Sequence, residues 1–140
     1  NQISTSTFSS SFFYYFSAYG QGDGSTDAGL YKSTATTYLI PSTGSTTISL
    51  NGVNSEGFGI TVSDPDGAGS AVVPSDFSDG TSGVFGALNR AASGARLILS
   101  QSGSQASAES ATITYGARAS TSAQAGSYSE TVTFVCGGYY

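Results

Sequence analysis

The 140-residue chain has the length of one domain and a net charge of −5, with only 9% charged residues. It contains no His, no Met, no Trp, one Cys and four basic residues, whereas 43 residues are Ser or Thr. This composition excludes a Ser-His-Asp triad and a His-ligated zinc site, argues against nucleic-acid binding, and predicts neither an enzyme nor a cofactor. The nine Tyr and eight Phe indicate a folded β protein rather than a disordered chain.

The first segment, residues 1–19, predicts an uncharged aromatic β-strand. From Ile3 to Tyr19 there is no Gly, no Pro and no charge, and the second half is apolar on both faces. Residues 20–25 predict a glycine-rich hinge, and residues 26–140 the body of the domain. Because such a strand aggregates when it is left uncovered, it must be buried either in its own sandwich or in a neighbouring subunit.

The body shows a hydrophobic period of two, which predicts strands. Residues 46–50 lead into Asn51-Gly52, the dipeptide favoured in a type I′ hairpin turn, and the chain is predicted to return through residues 57–62. Strands are interrupted about every 10 residues by turn-forming residues, as in a sandwich or barrel. Further elements are predicted at residues 38–40, 71–73, 96–99, 111–115 and 128–135, with one helical turn at 87–92 ended by Gly94.

Two minor features carry weaker predictions. Four carboxylates between residues 64 and 79 form a weak calcium candidate, but turn formation explains them better and no metal is predicted. They are Asp64, Asp66, Asp76 and Asp79. The single cysteine, Cys136, is predicted to be a small buried thiol, with an intermolecular disulfide as the alternative.

The location predicted for the protein is extracellular. The chain starts with Asn1 rather than Met, as expected of a secreted protein whose signal peptide has been removed. The longest apolar stretch, Phe8 to Tyr19, is too short and too rich in serine to span a bilayer, so no membrane span is predicted.

The C-terminal third resembles a pilin family. Residues 113–118, ITYGAR, followed by residues 125–134, AGSYSETVTF, resemble the end of spore-coat-protein-U-like domains, the subunits of archaic chaperone–usher pili. The resemblance covers residues 96–135, and the cysteine pair usual in that family is missing. It implies an incomplete immunoglobulin-like, Greek-key sandwich that a neighbour's N-terminal strand completes, and it implies a secretion chaperone and usher as partners.

Together these features predict an all-β sandwich that serves as the structural subunit of an extracellular filament, a fimbrium or pilus for adhesion or biofilm formation. Identical subunits are the predicted partners, joined by donor-strand complementation. The alternatives are a secreted lectin- or adhesin-like binding module and a viral coat subunit. The predicted donor residues are Ile3, Phe8, Phe12, Tyr14 and Phe16, and the family resemblance implies an acceptor groove that contains Val132 and Phe134.

Overall fold

The computed structural model describes eleven strands in the parts of the chain that it covers. Those parts are residues 2–10, 15–22, 28–32, 38–42, 47–52, 55–63, 71–78, 83–101 and 109–137, with side chains left undescribed in 2–10 and 109–110. The strands are β1 (Gln2–Ser10), β2 (Tyr15–Gly20), β3 (Gly29–Lys32), β4 (Tyr38–Pro41), β5 (Thr47–Ser49), β6 (Gly57–Ser63), β7 (Ala71–Val72), β8 (Val84–Gly86), β9 (Arg96–Gln101), β10 (Glu109–Arg118) and β11 (Val132–Gly137).

The strands form two larger sheets and one two-stranded ribbon. The order is β1-β10-β6-β8-β5 in the five-stranded sheet, β11-β2-β9-β7 in the four-stranded sheet and β3-β4 in the ribbon. Every pairing between these strands is antiparallel. The protein is therefore all-β and sandwich-like, as the period-two pattern predicts.

The core lies between the two larger sheets. Ile60 and Ile113 from the five-stranded sheet and Ile98 and Leu99 from the four-stranded sheet are all fully buried in one hydrophobic cluster. The alternation predicted for residues 111–115 is confirmed, since Ala111 and Ile113 point into this core. Removal of these apolar side chains from water is the main force that holds the sheets together.

The hairpin predicted at Asn51-Gly52 is wrong. The strands β5 and β6 are not neighbours in the sheet, because β8 lies between them. Gly52 does not adopt the positive φ that a type I′ turn requires. The close approach of β8 to β6 depends on Gly59, because a Cβ there would lie only 2.7 Å from the carbonyl oxygen of Gly86. The absence of a side chain at Gly59 thus allows the long-range pairing of β6 with β8 in place of the local hairpin.

The predicted helical turn is shorter than expected and lies further along the chain. A 3-10 helix spans Ala91–Ser93, and Gly94 ends it with a φ of +84°. The preceding residues stay out of the helix because the Leu88 N–H donates to Ser42 Oγ at 2.8 Å and the Arg96 guanidinium donates to the Ala87 carbonyl. Within the described ranges, no helix has the length and apolar character to cross a membrane.

Candidate functional site

The N-terminal segment forms two strands that join different sheets. β1 is an edge strand of the five-stranded sheet, and β10 is its neighbour along all nine residues. β2 is an inner strand of the four-stranded sheet. The segment thus contributes to both layers of the sandwich. Of the predicted donor residues, Phe12 and Tyr14 lie outside the described residues, and the side chains of Ile3 and Phe8 are not described.

β2 is the strand that links β11 to the rest of its sheet. On one side its register with β11 runs from Val132 opposite Gly20 to Gly137 opposite Tyr15. On its other side it pairs with β9, with a bulge between Phe16 and Ser17. Because adjacent strands lie about 4.8 Å apart, removal of β2 would leave a gap roughly one strand wide between β9 and β11.

A predicted donor residue contacts a predicted acceptor residue within the same chain. Phe16 is 5% exposed, and its ring stacks on Phe134 with the centroids 5.3 Å apart and the planes 9° from parallel. Phe134 and Val132 are partly buried and pack against the main core. The structure therefore brings Phe16, Val132 and Phe134 together, while donation of the strand to another copy stays a prediction.

Glu130, which sequence reasoning did not single out, holds the hinge at the end of β2. Its carboxylate accepts hydrogen bonds from the backbone N–H groups of Gln21, of Gly22 at 2.9 and 3.0 Å, and of Gly29 at 2.8 Å. Hydrogen bonds from amides to a carboxylate are stronger than those to a neutral acceptor. The feature of the sequence that could have drawn attention to Glu130 is that it is the sole charged residue after Arg118.

Replacement of this carboxylate is expected to loosen the hinge. In Glu130→Gln, one acceptor oxygen becomes an NH₂ group that faces amide donors, so the free energy of unfolding should fall by about 1–2 kcal/mol. Urea denaturation measures that loss, and hydrogen exchange at Gln21, Gly22 and Gly29 locates it. The control is Thr131→Ala at the exposed neighbouring side chain, which should change little. Equal stability of the two variants would contradict the assigned role.

The prediction of a buried Cys136 is wrong, since this side chain is exposed. Cys136 lies opposite Phe16 near the end of β11, which is the edge strand of its sheet, so no further strand covers it in the described part of the chain. Neighbouring atoms still exclude part of the water around the Cys136 thiol, and this desolvation raises the pKa of the thiol above its usual value. The side chain is therefore accessible but weakly ionised at neutral pH.

Of the weak calcium candidates, the structure describes only Asp76. Its carboxylate forms an ion pair with the Arg96 guanidinium at 2.6 Å, and that guanidinium also lies 4.6 Å from the ring centre of Phe77. Asp64, Asp66 and Asp79 lie outside the described residues. Among the residues that are described, no three potential metal ligands cluster together.

An open cavity of about 680 Å³ lies beside the loop between β10 and β11. The Tyr128 hydroxyl at its wall donates to the Gln124 carbonyl at 2.6 Å, and the ring meets Tyr38 edge to face at 6.3 Å. Arg118, also in the wall, donates to the Leu50 carbonyl at 2.6 Å. The hydrogen bonds named here link the wall of the cavity to neighbouring backbone carbonyls and hold its shape.

Comparison of the chain with protein-family models, with curated proteins and with solved structures finds no match. The pilin resemblance therefore depends on the quoted C-terminal residues alone.

Proposed function

We propose that this chain is the structural subunit of an extracellular filament and that residues 1–19 of each copy complete the fold of the next. The observation that carries this proposal is the position of β2. A strand from the N-terminal end of the chain fills the place between β11 and β9, which are not paired with each other. The proposed fold is an immunoglobulin-like, Greek-key sandwich in which this strand is exchangeable.

Exchange between copies keeps almost every contact. If β2 comes from a neighbour, its ladders with β11 and β9 and the stacking of Phe16 on Phe134 form as they do within one chain. Only the hinge after Gly20 must change its path, and the glycine-rich composition of residues 20–25 suits that change. Donation from head to tail produces a linear polymer when the rotation between successive subunits does not close a ring.

The low charge of the chain favours assembly and an extracellular role. With 9% charged residues, neighbouring subunits repel each other weakly. An exposed donor strand would aggregate before assembly, so we infer that a secretion chaperone and an usher cover it during export. Cell-surface adhesion or biofilm formation is the role that this proposal assigns to the filament.

Negative-stain electron microscopy of the native full-length protein, purified without denaturant, tests the proposal. Long fibres of uniform width are expected. Monodisperse single particles would overturn the proposal and would mean that residues 1–19 stay in the fold of their own chain. Closed shells would favour a viral coat subunit.

A secreted binding module is the second candidate, and the cavity beside Tyr128 favours it. An aromatic ring and a Gln side chain line this open cavity, which is large enough for a sugar unit. Glycan-array binding by the native protein, lost in Tyr128→Ala and unchanged in Tyr15→Ala, would support this function. The absence of binding to any glycan on the array would contradict this second candidate function.

A further inference from the structure

The sheet edges differ in how well they are protected against pairing. A single row of strands in each larger sheet gives four edge strands, β1 and β5 in one sheet and β11 and β7 in the other. β5 has three residues and β7 has two, which makes both poor templates for another strand. By contrast, β1 and β11 have nine and six residues with neither charge nor proline. Among the described strands, β1 and β11 are therefore the two edges without such protection.

In the described part of the chain, the outer side of β11 has no partner strand, whether or not strands are donated. β2 occupies the other side of β11, and it does so irrespective of which copy supplies it. The charged residue nearest to β11 in the sequence, Glu130, does not protect the outer edge, because its carboxylate accepts hydrogen bonds from the amides of Gly22 and Gly29. Among the described strands, none lies on this outer side.

The face of the same sheet is also apolar. The exposed large hydrophobic side chains in the described part of the chain are Tyr15, Val72, Leu97 and Val135, one on each strand of the four-stranded sheet. Val135 and Leu97 lie in one row across the sheet, each opposite Ser17. An uncharged surface thus runs from the middle of the sheet to its open edge at β11.

We propose that β11 pairs antiparallel with β11 of a second copy across a two-fold axis. A two-fold axis makes an antiparallel edge complementary to itself, and this edge has no charge that would repel its own copy. The pairing joins two four-stranded sheets into one continuous sheet and brings the two Val135 side chains to the same interface. It is independent of strand donation, which uses the opposite side of β11.

Charge substitutions distinguish pairing of the β11 edges from packing of the apolar sheet faces. Val135→Lys puts a charge on the open edge strand, Leu97→Lys puts it on an inner strand of the same face, and Val72→Lys puts it on the other edge. Sedimentation velocity of the non-filamentous fraction should show self-association weakened about tenfold or more by Val135→Lys, and little changed by the other two. Circular dichroism confirms that each variant is folded.

An effect of Leu97→Lys equal to that of Val135→Lys would overturn edge pairing in favour of face packing. A wild-type protein that does not self-associate apart from filaments would overturn it outright. Strand donation is tested separately by the same samples, since Val135→Lys leaves residues 1–19 intact and should still form filaments.

A cysteine scan of β11 tests the register. The native Cys136 is compared with Thr133→Cys and Val135→Cys, each in a Cys136→Ser background, under mild oxidation. Across a two-fold axis only the residue nearest the axis faces its own copy, so the yield of disulfide-linked dimer should peak at one position. Equal yields at all three positions, or no dimer at any of them, would contradict the proposed pairing.

Discussion

Removal of residues 1–19 is expected to abolish filament formation and to leave a body that recovers its stability when a peptide of the missing residues is added. The truncation removes a central strand with ladders on both sides, together with the buried side chains of Phe16 and Ala18. Loss of one buried Phe costs about 3–5 kcal/mol, and loss of the ladder adds to that. Since domains are stable by about 5–15 kcal/mol, the truncated body should be marginal alone.

The peptide experiment identifies the acceptor groove. A synthetic peptide of residues 1–19 should raise the melting temperature of the truncated body, because a ligand that binds only the folded state stabilises it. The matched control is the same peptide with Phe16→Asp, which should not bind, since a carboxylate would replace the ring stacked on Phe134. Normal filaments from the truncated protein without peptide would refute strand donation.

Local patterns predicted several of the strands, because alternation records which face of a strand is buried, but they missed β3 and β8 and placed the start of β11 at residue 128 instead of 132. The period-two runs at residues 111–115 and 96–99 correspond to β10 and β9, and the element predicted at residues 38–40 corresponds to β4. The partners of the strands could not be predicted in the same way. The insertion of β8 between β5 and β6 depends on the close packing of Gly59 against Gly86, a contact between residues distant in sequence.

The candidate site was predicted only in part for a similar reason. The apolar N-terminal pattern predicted Phe16, and the family resemblance implied Val132 and Phe134; the fold brings these three residues into one cluster. The role of Glu130 was missed because its partners are backbone amides more than a hundred residues away, and backbone donors leave no mark in a sequence. The exposure of Cys136 was also missed, since alternation predicts the face of a strand but not whether another strand covers its edge.

Truncation of a single ring, Phe16→Ala, is expected to cost about 3–5 kcal/mol, and the place where that loss appears distinguishes a retained strand from a donated one. Phe16 is 5% exposed and stacks on Phe134, so its removal leaves a cavity in the core. If the strand stays in its own chain, the loss appears in the urea unfolding of isolated subunits. If the strand is donated, the loss appears as easier dissociation of filaments by heat or denaturant.

The adjacent residue supplies the matched control. Tyr15 is 47% exposed and lies opposite Gly137 on the outer face of β2, so Tyr15→Ala should cost less than about 1 kcal/mol. Both variants remove one aromatic ring from the same strand, so the effect on β-strand propensity is similar. The difference between their losses of stability therefore measures the effect of burying the Phe16 ring. A loss that is equal for the two variants would mean that Phe16 does not occupy the core, and it would remove the physical basis for treating residues 1–19 as the segment that completes the sandwich.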